Sequence, residues 1–223
     1  MGTITGPGVF WWDEFDTIID PSSLASYPGS GFILNNPLKF KGFTDWTMGE
    51  GTTNLVAGSG ISKYVKQTSV QQFSQRITQV GSESSDKFTF IFIYRQPQAA
   101  DYRTIIQWQS NNLAYYVLAN GEITMKHQNV DFTTSGLAMT DNAWRHYVYT
   151  RSGTAATMYV NGSLLTTFTG LSASSSSATD TKVFDFPGCD GAIGQLWFNM
   201  GQTITAAQVS QHYRAFRRRF GIS

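Results

Sequence analysis

The sequence predicts an all-β protein: an antiparallel β-sandwich closed by one short C-terminal α-helix. Three observations carry this. Apolar and aromatic runs recur at a spacing of roughly 8 to 12 residues with Gly, Asn, Pro and Ser turn signals between them, as in a sandwich and unlike alternating βαβ units. The run 88–94 is apolar on both faces, the mark of a central strand covered on both sides. From Thr205 onward the apolar period changes from two to that of a helix.

Taken in order, the chain opens with a Gly-Pro segment and an aromatic strand candidate, Val9-Phe10-Trp11-Trp12. Asp20-Pro21 starts a turn, and Ser26-Tyr27-Pro28-Gly29-Ser30-Gly31 is a strong second turn signal. Residues 32–60 are short apolar pieces split by Asn-Pro and Gly, which fit strands at a sandwich edge. Residues 71–79 fit either a strand or a short helix. After 88–94, strands follow at 103–108, 114–118 and 123–127, the last two joined at the hairpin turn Asn120-Gly121. The strand 144–151 pairs with 156–160 across a Ser-Gly turn. Beyond 165–168, the Ser/Ala-rich stretch 172–179 reads as a loop without packing content. Strands at 182–186 and 192–198 complete the set.

The final segment carries a capping box, Thr205 with Gln208 three residues later. Val209, Tyr213, Phe216 and Phe220 then form one apolar stripe. Arg217, Arg218 and Arg219 occupy the last turn, where the helix dipole favours cations, and Gly221 stops the helix. With no internal repeat and no linker, one domain is expected over 1–223, with an N-terminal arm and first turn at 1–31 and the helix at 205–220.

Composition bounds the function. Apolar residues make up 41% of the 223 and aromatics 14%, enough for a large core. Charged residues are only 14%, against about 25% in ordinary soluble proteins, so the surface relies on uncharged polar side chains or lies against other subunits. A net charge of +1 argues against a nucleic-acid partner, which demands many Lys and Arg contacts to phosphate. The single cysteine, Cys189, excludes an internal disulfide framework and suits assembly in a reducing cytoplasm. The N-terminus has neither a signal-peptide nor a myristoylation pattern, and no apolar run reaches membrane-spanning length, so no membrane partner is expected.

Motif order adds a resemblance. The run Trp144-Arg145-His146-Tyr147-Val148-Tyr149-Thr150-Arg151-Ser152-Gly153 precedes Thr157-Met158-Tyr159-Val160-Asn161-Gly162, then Gly191-Ala192-Ile193-Gly194-Gln195-Leu196-Trp197-Phe198-Asn199, then the helix ending Arg217-Arg218-Arg219-Phe220-Gly221. This order resembles the laminin-G-like, concanavalin A-like jelly-roll family. Asp20-Pro21-Ser22-Ser23 through Gly31 is similar to the opening of concanavalin A-like modules of tailed-bacteriophage virion proteins. Together the two anchors touch most of the chain. The resemblance implies sugar or protein ligands on the concave sheet or at the loop rim, and a virion location after assembly in the host cytoplasm. Fold alone does not give function.

The chemistry of an enzyme is not legible. The glucanase branch of this fold uses Glu-x-Asp-x-x-Glu, with two carboxylates flanking one glycosidic bond. The lookalike Glu14-Phe15-Asp16-Thr17-Ile18-Ile19 ends in Ile19, which can neither donate nor accept a proton. Gly29-Ser30-Gly31 and Gly58-Ser59-Gly60 lack the strained nucleophile turn of serine hydrolases, and Cys189 reads as an unreactive thiol. His127, His146 and His212 lack metal-ligand spacing, and His146 shares strand parity with Trp144 and Val148, as a packed histidine at the core edge would. No catalytic residue, metal ligand or cofactor is therefore expected. Calcium is the one alternative the resemblance allows, with Asp131, Asp141, Asn142 and Asp190 as loop candidates that turn formation explains equally well.

Two surfaces stand out as contact candidates. Alternation puts Arg145, Tyr147, Tyr149 and Arg151 on the other face of the Trp144 strand, where Trp108, Tyr115 and Tyr116 extend a possible partner or glycan surface. The competing reading is a second layer folded over these rings. Arg217, Arg218 and Arg219 are a candidate subunit contact, against a plain dipole complement. The leading expectation is a non-enzymatic viral structural protein, a capsid decoration or head/tail surface component contacting capsid or tail proteins and its own copies. The alternative is a module binding host-surface glycan; a glycoside hydrolase comes last.

Overall fold

β-Branched and aromatic runs become strands here wherever Gly and Asn turns break them, and among the described residues sixteen strands precede the helix. The structure is a computed structural model that describes residues 17–22, 33–34, 46–48, 56–59, 62, 64–66, 73–76, 87–96, 103–108, 113–118, 120–127, 130–133, 141–171, 180–183 and 191–223. Early strands are short: β1 Thr17–Ile19, β2 Ile33–Leu34, β3 Trp46–Met48, β4 Val56–Ala57, β5 Tyr64–Lys66 and β6 Phe73–Arg76. The longer ones follow: β7 Lys87–Arg95, β8 Arg103–Trp108, β9 Leu113–Val117, β10 Ile123–His127, β11 Val130–Thr133 and β12 Arg145–Ser152. β13 Ala155–Val160, β14 Ser163–Phe168, β15 Asp180–Val183, β16 Ala192–Met200 and helix α1 Ala206–Phe220 complete the set.

These strands make two antiparallel sheets of a sandwich. The first runs β14-β13-β12-β7-β16-β5-β4, with β1 also pairing β16; the second runs β11-β10-β9-β8-β15-β6-β3-β2. One edge of β16 is shared. Ala192 and Ile193 pair with β5, and Leu196, Trp197 and Phe198 pair with β1.

The chain from 71 to 79, open between helix and strand, holds the strand β6. β1, β5 and β11 are strands that periodicity had not separated, because three or four residues cannot display a period. The expected strand 9–12, the turn 26–31, the loop 172–179, Cys189 and Asp190 lie outside the described residues.

β7 is the centre of the first sheet and is buried from Phe88 through Tyr94, as the apolar run predicts. Register sorts its neighbours into two layers. Phe88, Phe90 and Phe92 pair with Arg151, Tyr149 and Tyr147 on β12 and face the sandwich interior. There Phe92 stacks on Tyr147 at 5.0 Å between centroids and Phe90 on Phe198 at 4.2 Å. Ile91 and Ile93 point to the opposite face and form a second core with Val148, Trp197, Val209, Phe216, Phe220 and Ile222.

The helix that covers this second core is set by its ends. Thr205 accepts from the Gln208 N–H at 3.3 Å, and Gln208 Oε1 accepts from the Thr205 N–H at 2.7 Å. Gly221 adopts φ 64° and closes the last turn onto the Arg217 carbonyl. The buried stripe differs from expectation at one position. His212 is fully buried, while Tyr213 lies half-buried at its margin. The Asn161-Gly162 hairpin takes φ 50° and 79°, the doubly positive turn that matches strand twist.

Gly194 is required by contact with the helix. It sits at a register shift between Ile193 and Gln195, and a Cβ there would lie 2.3 Å from Phe220 Cε1. Gly194→Ala is expected to displace the Phe220 ring and cost about 1–3 kcal/mol, measured as a drop in the urea midpoint. An unchanged midpoint would show that the helix rides free of β16.

Candidate functional site

One rim of the first sheet gathers aromatic and cationic side chains that remain in contact with solvent. β7 ends in Arg95, β12 is preceded by Trp144, and β5 delivers Tyr64, because β16 pairs with both β7 and β5 at Ile193. The Arg95 guanidinium carbon lies 4.7 Å from the Tyr64 ring centre and 4.9 Å from that of Trp144. The two rings meet edge to face at 5.4 Å. All three side chains are half-buried.

The rim is braced from below and beside. Trp144 rests on Phe220 at 5.2 Å, tying it to the helix end. The Asn142 N–H donates to the Gln96 carbonyl at 2.9 Å, and the Ala143 N–H donates to Asp141 Oδ1 at 3.0 Å. Arg145 grips Asp141 through two bonds of 2.7 Å, which hold that carboxyl down at about 2. Aromatic faces supply apolar area at low entropic cost, and the guanidinium supplies a planar fork of donors. Such a set can offer apolar ring faces and charged donors to a ligand.

The expected partner surface on β12 is corrected by burial. Tyr147, Tyr149 and Arg151 are each no more than 1% exposed, so none of the three is open to a partner. Burial pushes both phenols up, and Arg151 Nε donates to the Gly153 carbonyl at 2.8 Å. Arg145 is reachable but committed to Asp141. Trp108 and Tyr116 lie on β8 and β9 of the other sheet. Trp108 pairs with Leu113 and Tyr116 with Thr104, in different cross-strand rows. Of the arginine run, Arg217 and Arg218 are exposed, whereas Arg219 turns inward. Its guanidinium takes both oxygens of buried Asp20, at 2.9 and 2.5 Å, and also reaches Ser22 Oγ.

Among the calcium candidates, Asp141 is held by Arg145, Asn142 takes a left-handed turn at φ 61°, and Asp131 lies within β11. Among the described residues no group of three His, Cys, Asp or Glu converges. His146 and His212 do meet, in the second core, with Nε2 and Nδ1 2.9 Å apart. They are packed against Trp197, Phe216 and Tyr213. Parity had placed His146 on this face, and only the helix brings His212 to it.

Sequence reasoning missed Tyr64 and Arg95. Neither stood in a recognisable pattern, and both reach Trp144 through strand pairing across distant segments.

The family described as the concanavalin A-like lectin/glucanases superfamily matches residues 61–207, about two thirds of the chain. No curated protein sequence matches. Among solved structures, the binding domain of Paraclostridial Mosquitocidal Protein 1 superposes with a TM-score of 0.65 at 12% identity. The botulinum neurotoxin type G receptor-binding domain does so at 0.63 and 18% identity. A structure of botulinum neurotoxin type C, whose passage into cells depends on interaction with two ganglioside molecules, gives 0.64 and 12%. In each case 91% of this chain is covered but only about half of the other, 51–52%. These likenesses show the fold; this chain spans about half the length of the domains it matches.

Proposed function

The chain belongs to the concanavalin A-like lectin/glucanase superfamily, and from that premise we propose that it is a lectin-like binding module that takes glycan at the Tyr64, Arg95 and Trp144 rim. The observation that carries this reading is the half-buried pair of rings around a guanidinium at one rim of the first sheet. A sugar presents an apolar C–H face and a polar hydroxyl edge, which the rings and the guanidinium complement. The toxin domains of the same fold support binding over catalysis by analogy. Two carboxylates near the ends of the sheet, Asp20 and Asp141, are each held by an arginine, which leaves neither in the role of a glycosidase acid or nucleophile.

Trp144→Ala is expected to weaken binding of the best ligand on a glycan array by about 2 kcal/mol, roughly thirtyfold. Tyr64→Ala, which leaves the Phe220 contact intact, serves as the companion variant. Array silence across neutral and acidic glycans, with a folded protein by circular dichroism, would remove the proposal.

A place on a bacteriophage particle is the second reading. It is supported by the Asp20 to Gly31 resemblance and the charge-poor composition, and the two readings are compatible if the particle displays the glycan site. Mass spectrometry of purified particles tests it: absence of a stoichiometric amount of this chain ends it.

A further inference from the structure

Resting on the glycan reading, we propose that the rim selects carboxylate-bearing sugars, and that Arg95 is the residue that contacts the acid group.

The argument begins from a contrast between three arginines. Arg145 spends its fork on Asp141 through two bonds, and Arg219 spends its own on Asp20 in the same bidentate way. Among the described residues Arg95 has no such partner: its guanidinium lies over the Tyr64 and Trp144 ring faces, and no described carboxylate pairs with it. A ring contact satisfies the positive charge of a guanidinium without using its N–H donors, which lie in the guanidinium plane.

The clamp also orders the group. Two rings and a braced strand end restrict a side chain that would otherwise sample many rotamers, so little entropy remains to be lost on binding. Half-burial makes a charge-assisted bond stronger than it would be in open water. A planar fork matches the two oxygens of a carboxylate, and the flanking rings suit the sugar ring that carries it. A neutral sugar would cover the same rings and leave the donors with weaker hydroxyl partners.

The test uses the full chain and a panel of uronic-acid and sialic-acid oligosaccharides, each printed beside its methyl ester, a sulfated analogue and a neutral analogue. Wild-type protein is expected to bind the acids at least tenfold more tightly than the esters, with the difference shrinking as salt is raised. In Arg95→Gln that preference for acid over ester should vanish. Arg95→Lys should keep part of it, since charge survives and the fork does not. The acid-against-ester comparison needs no variant, so it stands even if a substitution harms folding. Equal binding of acids and esters by wild type overturns the role of Arg95 and leaves the glycan reading intact. Preference for a sulfated analogue over the carboxylates overturns the choice of anion. Failure to bind any member of the panel overturns both.

Discussion

Arg219→Met is expected to destabilise the fold by about 3–5 kcal/mol, because it strands a buried carboxylate. Asp20 is 8% exposed and follows β1, while Arg219 sits in the last turn of the helix, so this ion pair ties the N-terminal strand to the C-terminal end. Gln195 Nε2 donates to Asp20 Oδ2 at 2.9 Å, and the Ser22 N–H and hydroxyl donate to Oδ1 at 3.1 and 2.8 Å. Burial by itself pushes the Asp20 carboxyl up. The Arg219 hydrogen bonds and charge, with Ser22 and Gln195, outweigh that and hold it below its ordinary value. The folded state therefore favours the ionised form, which contributes stability above the unfolded value of 3.8 and loses it as pH falls further. Urea unfolding at neutral pH measures the effect, and an Asp20→Asn, Arg219→Met cycle isolates the pair. A cost under about 1 kcal/mol would mean that the contact behaves as an exposed surface pair.

The second large effect is loss of stability in mild acid through His146 and His212. Both rings are fully buried, and burial holds His146 down at about 3, from 6.5. Burial, and then the charge His146 would carry, hold His212 well below the same value. The neutral pair needs one nitrogen to donate and the other to accept across 2.9 Å; two imidazolium rings would aim N–H groups at each other. Their ring contacts among the described residues, with Trp197, Phe216 and Tyr213, bring no charge to the pair. Above 6.5 both folded and unfolded histidines are neutral and stability is full. As pH drops below that, the unfolded chain takes up protons that the fold refuses, which removes about 1.4 kcal/mol per pH unit for each histidine. The loss continues toward about 3 for His146. Between pH 6 and 5, urea unfolding should register a fall of about 2–3 kcal/mol. This window opens well above that of Asp20, so the two are separable in one titration. A His146→Gln, His212→Gln variant should be weaker at neutral pH but nearly flat across this range. A wild type equally stable at pH 5 and 7 would sink the explanation.

Local order was legible where one segment carries its whole cause. The capping box at Thr205 and Gln208, the Asn120-Gly121 turn and the doubly covered run 88–94 need only neighbours in sequence, and each stands as read. The site was not legible, for the same reason inverted. Tyr64, Arg95 and Trp144 become one rim because β12 pairs with β7 and β16 pairs with both β7 and β5, and no short window contains all three.

From residues alone came the all-β sandwich and its closing helix, because alternation, turn chemistry and capping are short-range effects. Which faces lie open was decided only by packing. The helix covers Ile91, Ile93 and Val148, the interior takes Tyr147, Tyr149 and Arg151, and Arg219 folds back onto Asp20. Period-two alternation assigns a side chain to a face, but exposure depends on what distant segment lands there.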